Sequence, residues 1–151
     1  MGTLAMILLI EEIKPDEYHD WAQMVLDYDP DMADQLADTW AKIHSPWNDI
    51  RGARFIKDGQ EIIGFIQFKR HEFFFGKAPI CYLSDLYIKP EHRRLGYARR
   101  TLNWMIDHAR RNLYGRLYWI THKDNVEAQG LYDSVAAGEF IRYHIDFIKG
   151  M

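Results

Sequence analysis

Residues 93–98 lie between a strand-like run and a long amphipathic helix, and they constrain the fold more than any other part of this sequence. The run before them, residues 82–88, is followed by Pro90, which lacks an amide donor and stops a strand. The helix after them has apolar residues at spacings of three and four, namely Ala98, Leu102, Met105, Ile106, Ala109 and Leu113. Gly96 and Ala98 let main-chain N–H groups approach an anion closely, and the helix start adds further donors. The pattern predicts a turn that holds a pyrophosphate.

The turn differs from two well-known phosphate-binding motifs. A Rossmann fold requires Gly-x-Gly-x-x-Gly after an early strand with an acidic residue about twenty positions later, and a P-loop requires Gly-Lys-Ser or Gly-Lys-Thr. Neither motif occurs in this sequence. The turn instead has the pattern Arg-x-x-Gly-x-Ala, late in the chain and after a predicted antiparallel meander.

Hydrophobic periodicity predicts one mixed α/β (α+β) domain over residues 1–151, in the order β-α-α-β-β-β-α-β-α-β. Asp58-Gly59 between two apolar runs predicts a hairpin. Phe73-Phe74-Phe75-Gly76 predicts a turn with exposed aromatic rings. Outside the segment already described, the predicted strands are 6–13, 54–57, 61–70, 116–121 and 140–148, and the predicted helices are 15–28, 31–44 and 125–137.

Charge is distributed unevenly, although the net charge is only −3. Residues 1–50 have eleven acidic and two basic residues, whereas residues 89–123 have nine basic and two acidic ones. This uneven charge has two explanations: two solvent-exposed helix faces of opposite sign, or one region that binds cations and another that binds a polyanion. The basic residues around the turn favour the two binding regions. The overall negative charge argues against a nucleic-acid partner.

Composition excludes several other classes. The longest apolar run, residues 6–10, is too short to span a bilayer, so no membrane partner is expected. The single cysteine, Cys81, fits a reducing cytoplasm and is predicted to be a buried, unreactive thiol. The seven histidines have no paired metal spacing, and no metal site is expected.

The chain resembles the GNAT superfamily of acetyl-CoA-dependent N-acetyltransferases over residues 52–148. The resemblance rests on residues 82–88, Pro90, Arg93, Gly96, Ala98, Tyr118-Trp119-Ile120-Thr121, Asn125, Ala128, Leu131 and Tyr132. Residues 83–88 and 118–121 look most like the histone/polyamine acetyltransferase branch. The resemblance implies a mixed, mostly antiparallel sheet flanked by helices, splayed between strands 82–88 and 117–121, with acetyl-CoA in the splay as co-substrate.

The resemblance also implies roles for individual residues. The backbone of Leu86, Tyr87 and Ile88 is expected to bind the pantetheine arm, and the turn is expected to bind the pyrophosphate. Asn125 is expected near the thioester, although an N-cap role explains it equally well. The full set of implied coenzyme residues is Leu86, Tyr87, Ile88, Arg93, Arg94, Leu95, Gly96, Tyr97, Ala98, Arg99, Asn125 and Tyr132.

Tyr132 lies where the family often has a general acid that protonates the departing sulfur; the alternative is a tyrosine packed on a helix face. Polyamine acetyltransferases often have a Glu just before the Asp of this strand, but Ser84 occupies that position here. The candidate bases are therefore Asp85 and Glu72, acting through water. For Asp85 the alternative is a purely structural role. His71 and His122 are further candidates for the general base.

We expect direct transfer to a primary amine of a small molecule or peptide in a ternary complex, with cationic acceptors favoured by the acidic N-terminal half. The acceptor is expected to enter between helices 15–44 and the turn at residues 73–76. Alternatives are a non-catalytic acyl-CoA sensor on the same fold and a transferase with a different acyl donor. Homodimers are common in the superfamily.

Overall fold

The computed structural model describes residues 7–46, 51–149 and 151. The chain divides into two compact units, one that ends at Trp119 and one that runs from Ile120 to Met151. No helix in the described part of the chain is both long enough and apolar enough to cross a membrane.

The first unit contains a five-stranded sheet in the order β1-β2-β3-β4-β5. The first four strands form the predicted antiparallel meander, and β5 pairs with β4 in parallel. The hairpin between β2 and β3 turns at Gly59, where φ is +60°, so a left-handed residue is needed there. The strands are β1 (Leu8–Glu12), β2 (Arg51–Asp58), β3 (Glu61–His71), β4 (Ile80–Ile88) and β5 (Arg116–Tyr118).

Two α-helices, α1 (Tyr18–Tyr28) and α2 (Leu36–Ile43), lie between β1 and β2 in the chain. The helix predicted over residues 31–44 is divided, because Pro30–Gln35 forms a 3₁₀ helix before α2 begins. The Asp29 carboxylate starts that 3₁₀ helix by accepting a hydrogen bond of 3.1 Å from the amide of Asp31. The core between helices and sheet contains Trp21, Met24, Val25, Phe55 and Phe65.

The helix after the turn, α3 (Tyr97–Arg111), follows the predicted periodicity with one exception. Leu102, Met105 and Ala109 are buried. Leu113 was predicted on the same face, but the helix ends before it. Leu113 has a φ of +59° and is 80% exposed, so it has left the helical path.

The second unit contains α4 (Val126–Asp133), which is shorter than the predicted helix 125–137. The Ser134 hydroxyl donates a hydrogen bond of 2.6 Å to the carbonyl of Leu131, which closes the helix early. The strand predicted over residues 140–148 is wrong for this structure: those residues have no regular secondary structure and are exposed. An alternating pattern favours a strand, but a strand also needs main-chain partners.

Candidate active site

The sheet splays along β4. Pairing with β5 is limited to Ile80, Cys81 and Tyr82, so the predicted strand 116–121 is only three residues long. Beyond Tyr82, β4 continues beside β3 as far as Ile88, which pairs with Gly64. Residues 83–88 therefore have a strand partner on one edge only within the described chain. Such an edge can pair with an extended ligand through main-chain hydrogen bonds.

The close approach of β3 and β4 depends on Gly64. A Cβ at this position would overlap the carbonyl oxygen of Tyr87. The absence of a side chain therefore allows the second half of β4 to stay against β3 after it has left β5.

A β-bulge lies in β4 at the start of the splay. Asp85 pairs with Gln67 and Leu83 pairs with Phe68, so Ser84 is the extra residue. The Ser84 hydroxyl donates a hydrogen bond of 3.0 Å to the carbonyl of Gln67, which stabilises the bulge. Bulges change the direction in which neighbouring side chains point and occur often beside active sites. Here the bulge precedes Asp85.

The predicted pyrophosphate turn contains two residues with left-handed backbone. Gly96 has a φ of +87° and is the N-cap of α3, and Arg94 has a φ of +62°. Leu95, where a glycine is common in the family, has no positive φ. Alternation of left-handed and ordinary residues turns successive N–H groups toward one side and forms an anion-binding nest. The strained Arg94 was not foreseen from the sequence, because nothing in its side chain signals a left-handed backbone.

Side chains of the turn divide into two groups. The Arg93 Nε donates a hydrogen bond of 2.8 Å to the carbonyl of Ile88, and its guanidinium lies 5.6 Å from the Tyr87 ring centroid. The Tyr97 hydroxyl donates a hydrogen bond of 2.6 Å to Asp58, and this bond raises the pKa of Tyr97 to about 12. Both side chains stabilise the turn. The second group contains the side chains of Arg94 and Arg99, which are exposed.

The residues of this part of the protein fit coenzyme A. The one-sided edge of β4 suits an extended pantetheine arm, and the nest with the first turn of α3 presents main-chain donors for a diphosphate. Arg94 and Arg99 add positive charge beside those donors.

A cavity of about 180 Å³ lies on the helical side of the sheet in the first unit. Its described lining contains two carboxylates, Asp29 and Asp85, and no Lys, Arg or His. Residues 73–76, expected beside the acceptor entrance, do not line it, and Phe74 and Phe75 are 92% and 88% exposed. The full lining is Trp21, Val25, Tyr28, Asp29, Met32, Gln35, Leu36, Thr39, Phe65, Gln67 and Asp85.

A hydrogen-bonded chain connects α1 to Asp85 across this cavity. The Trp21 Nε1 donates to the Gln67 Oε1 at 3.1 Å, and the Gln67 Nε2 donates to the Asp85 Oδ2 at 3.1 Å. Since Trp21 is fully buried and can only donate, it fixes which end of the Gln67 amide faces Asp85. The Asp85 carboxylate is thereby held as an acceptor at the cavity wall. Neither Trp21 nor Gln67 was identified as a site residue from the sequence, because their roles depend on packing between distant elements.

The other candidate bases have different surroundings. The Glu72 carboxylate pairs with Arg70 at 2.8 Å, and its side chain is 74% exposed. His71 contacts the hydroxyl of Tyr118 at 3.2 Å, and His122 contacts Asp124 at 3.4 Å. None of these three residues lines the cavity.

Two candidates belong to the second unit. The Asn125 side chain accepts a hydrogen bond of 3.2 Å from the amide of Ala128, so its N-cap role is confirmed. Tyr132 is half-buried in α4, and burial raises its pKa above the ordinary tyrosine value. A phenol with a raised pKa stays protonated at neutral pH and can act as a proton donor.

Cys81 is fully buried in β4, and burial raises the pKa of its thiol to about 11. The prediction that this cysteine is buried is confirmed. Among the described residues, no three His, Cys, Asp or Glu side chains form a group able to hold a metal ion.

A second cavity, of about 360 Å³, is lined by Glu12, Arg54 and His108, among others. It includes none of the residues singled out from the sequence as candidates for the coenzyme or for catalysis. The smaller cavity is the one whose lining includes a candidate base, Asp85.

Comparison with known proteins gives the family. The family model described as "Acetyltransferase (GNAT) family" matches residues 10–136. The chain belongs to the GNAT family of acetyltransferases. It is therefore an acyltransferase, and enzymes of this family take the acetyl group from acetyl-CoA.

A curated relative is the D-amino-acid N-acetyltransferase HPA3 of Saccharomyces cerevisiae, which is 25% identical over 138 residues, covering 85% of this chain and 84% of the relative. Among solved structures, AAC(6')-Iy in complex with a bisubstrate analogue has a TM-score of 0.78 at 14% identity and covers 93% of this chain and 98% of its own. A ribosomal-protein-alanine N-acetyltransferase from Brucella melitensis has a TM-score of 0.75 at 16% identity, covering 95% and 99%. The structural likenesses show the fold. The acceptors stated in the names of these proteins differ from one protein to the next.

Proposed function

We propose that this protein transfers the acetyl group of acetyl-CoA to the primary amine of a small cationic molecule such as a diamine or polyamine. The observation that carries this proposal is the 180 Å³ cavity lined by Asp29 and Asp85 without a described cationic side chain. Carboxylates in a partly enclosed site attract an ammonium group more strongly than they do in open water.

The aromatic part of the lining supports the same acceptor class. Tyr28 lines the cavity and is 43% exposed, and its ring lies edge to face with the ring of the buried Phe65, with centroids 5.7 Å apart. Aromatic faces attract ammonium groups, and aromatic edges pack against a methylene chain. A diamine offers both groups.

Cavity size favours a small acceptor. Pockets for drug-sized ligands have volumes of about 300–1,000 Å³, whereas this cavity has about 180 Å³. An aminoglycoside would therefore have to remain largely outside it. A free amino acid has a carboxylate beside its amine, and that carboxylate would face Asp29 or Asp85 without a cation from the described lining.

Donor binding is proposed along β4 and the turn. The backbone of Leu86, Tyr87 and Ile88 would bind the pantetheine arm, and main-chain amides of residues 94–99 would bind the pyrophosphate. Asn125 and Tyr132 are proposed near the thioester on the family resemblance.

The proposed chemistry is a direct transfer. Acetyl-CoA supplies an acetyl thioester. The amine must first lose a proton, since a lysine-like amine has a pKa of about 10.4, and Asp85 accepts it directly or through water. The amine nitrogen then forms a bond to the acetyl carbon, the carbon–sulfur bond breaks, and Tyr132 donates a proton to the sulfur. The nitrogen loses one of its two remaining protons, and this proton returns through water to the Tyr132 phenolate, so that the products are the acetamide and the free CoA thiol.

An acceptor panel tests the proposal. Release of free CoA thiol is measured with a linear diamine, a polyamine, an amino alcohol of equal length that has one ammonium group instead of two, a D-amino acid and an aminoglycoside. We expect the diamine and polyamine to have the largest kcat/KM, with a preference over the amino alcohol that falls as salt rises. Equal turnover of the diamine and the amino alcohol at low salt would contradict the charge argument.

The matched variant for the panel is Asp29→Asn. It removes one cavity charge and leaves the proposed base in place, so the preference for the diamine over the amino alcohol should fall. Acetyl-CoA binding without thiol release across the whole panel would instead favour a non-catalytic sensor.

A further inference from the structure

The larger cavity, of about 360 Å³, lies on the face of the sheet opposite the cavity that Asp85 lines. Gln67 lines the smaller cavity and the next residue of β3, Phe68, lines the larger one, and successive side chains of a strand point to opposite faces. We refer to the larger one as the α3-side cavity, because His108 of α3 belongs to its lining. Its volume is within the range of about 300–1,000 Å³ that is usual for small-molecule sites. The full described lining is Glu12, Ile13, Ile43, His44, Gly52, Ala53, Arg54, Phe68, His108, Asn112 and Tyr114.

Arg54 is the only Lys or Arg in that described lining. Its side chain is 19% exposed, and burial lowers the pKa of its guanidinium although Glu12 acts in the opposite direction. The lowered pKa means that the surroundings stabilise the charged form of Arg54 less well than water does. A further anion beside this guanidinium would therefore be stabilised by a cation that the protein has only partly compensated.

The contacts of Arg54 leave donor capacity for a ligand. Its Nη1 donates a hydrogen bond of 2.9 Å to the carbonyl of Ala53, and the Glu12 carboxylate lies 3.3 Å from its Nη2. A guanidinium has more N–H groups than these two contacts among the described residues use. The contact to Glu12 is longer than the usual charge-assisted distance of about 2.7–2.9 Å, and the Glu12 side chain is 82% exposed. Since exposed ion pairs stabilise little, a ligand carboxylate can replace Glu12 at this guanidinium.

Aromatic packing fixes the position of Arg54. Its guanidinium carbon lies 5.5 Å from the centroid of the Phe68 ring, and Phe68 packs edge to face with His108 at a centroid distance of 5.1 Å. A Cβ at Gly52 would overlap the Phe68 ring, so the missing side chain at Gly52 makes room for this arrangement. A donor that is held in place before the ligand arrives loses little side-chain entropy on binding.

The charges of the lining favour a ligand with one negative charge. Glu12 is the only Asp or Glu in the described lining of the α3-side cavity, and it would repel a doubly charged phosphate more strongly than a carboxylate. Burial, together with the nearby Arg54 and Arg111, lowers the pKa of His108. His108 is therefore neutral at pH 7 and adds no second positive charge.

The α3-side cavity also has an apolar part, to which Ile13 and Ile43 contribute. We propose that this cavity binds a small organic carboxylate, separate from the coenzyme and from the amine acceptor. The ligand carboxylate accepts hydrogen bonds from Arg54 in place of Glu12, and the apolar body of the ligand packs against the two isoleucines. The cavity is lined by residues on the opposite face of the sheet from Gln67, so this ligand does not compete with the amine.

Three probes test the ligand class by calorimetry on the full chain saturated with CoA, which occupies the anion-binding turn ahead of α3. Benzoate has the proposed carboxylate and apolar body, benzamide is its neutral analogue, and inorganic phosphate is an oxyanion without an apolar body. We expect benzoate to bind at least about tenfold more tightly than either of the other two. Amide NMR shifts should change at residues 52–54 and 108–112. Equal binding of benzoate and benzamide, tighter binding of phosphate, no saturable binding of benzoate, or shifts confined to other residues would overturn the proposal.

Three variants change benzoate affinity in different directions. Arg54→Gln removes the cation and should raise the Kd for benzoate at least about tenfold. Glu12→Gln removes the competing carboxylate and should lower that Kd by about threefold. Lys57→Gln is the matched control, because Lys57 also lies in β2 and pairs with a carboxylate of β1, Glu11, at 2.7 Å, but does not line the cavity. Its Kd should stay within about twofold of wild type.

Circular dichroism and CoA binding serve as folding controls for each variant. Glu12→Gln changes a side chain that is 82% exposed, so it tests the proposal even where Arg54→Gln is poorly folded. An unchanged or higher Kd in Glu12→Gln, or equal losses in Arg54→Gln and Lys57→Gln, would overturn the assignment of the site to Arg54. None of these measurements requires turnover, so their failure is distinguishable from failure of the proposed acetyl transfer.

Discussion

The two binding regions proposed for acetyl transfer are built from different parts of the polypeptide. The turn ahead of α3 presents main-chain donors, held in place by left-handed residues at Arg94 and Gly96. The acceptor cavity presents side chains from α1, α2, β3 and β4, oriented by the hydrogen bonds from Trp21 through Gln67 to Asp85. A main-chain site restricts sequence at glycines and small residues in one short segment. A side-chain site depends on residues that are distant in sequence.

This difference explains why the donor is shared across the family while acceptors vary. Any sequence that forms the turn and the splayed β4 keeps the main-chain donors. A substitution at one of the cavity residues of α1 or α2 changes the cavity and leaves the sequence of the turn as it is. The predictions below test this separation of the two regions, beginning with the largest expected effect.

Asp85→Asn should reduce kcat/KM for the amine by about 10²–10³-fold, the range for removal of a general base. The amide retains an oxygen able to accept from Gln67, so the cavity should keep its shape. Acetyl-CoA binding measured by calorimetry should not change. Glu72→Gln is the matched control and should stay within about twofold of wild type, because Glu72 pairs with Arg70 away from the cavity.

The pH–rate profile distinguishes Asp85 from a structural residue. A changed pH–rate profile in Asp85→Asn, with the wild-type profile retained in Glu72→Gln, is the expected result. An unchanged profile in both variants would exclude both carboxylates as bases.

Tyr132→Phe should lower kcat by about 10²-fold with little change in the KM for acetyl-CoA, since only the proton donor is lost. Burial raises the pKa of Tyr132, so wild-type activity should persist to pH values above the ordinary tyrosine pKa of about 10 before its basic limb begins. Tyr114→Phe is the control, because burial also raises the pKa of Tyr114. Equal losses in the two variants would argue against a catalytic role.

Gly96→Ala should raise the KM for acetyl-CoA about tenfold and reduce the free energy of unfolding by about 1–2 kcal/mol, because φ is +87° there and a Cβ opposes that conformation. No atom outside its chain neighbours lies within 4 Å of such a Cβ, so the effect is conformational rather than steric crowding. Gly59→Ala has the same backbone cost in the β2–β3 hairpin, where φ is +60°. It should lose similar stability and keep the wild-type KM.

Thr101→Val should increase the free energy of unfolding by about 1 kcal/mol and leave both KM values unchanged. Thr101 is fully buried in α3, and its hydroxyl oxygen has no hydrogen-bond partner among the described residues. Thermal denaturation measures the change. A lower melting temperature would mean that the hydroxyl has a partner in solution.

Local patterns predicted much of the fold. The β2–β3 hairpin at Gly59, the strand β4 and the helix α3 follow from turn chemistry and from the spacing of apolar residues. The same reasoning failed at residues 140–148, where the alternation is strong but no strand forms. A helix has its hydrogen bonds within one segment, whereas a strand depends on a second one. Some helix bounds also moved: α1 begins at Tyr18, a 3₁₀ helix precedes α2, and the Ser134 hydroxyl bonds to the carbonyl of Leu131 at the end of α4.

The sequence by itself determined the family and the turn, and it predicts a donor region of main-chain amides, because these depend on residues within one short stretch. It could not distinguish Asp85 from Glu72, since Asp85 lies in β4 and Glu72 directly follows the neighbouring β3. Tertiary structure separated them: the bulge at Ser84 precedes the carboxylate that meets Gln67 in the cavity, while Glu72 pairs with Arg70 in solvent. The environment of a carboxylate comes from elements brought together by folding, and a linear pattern does not contain it.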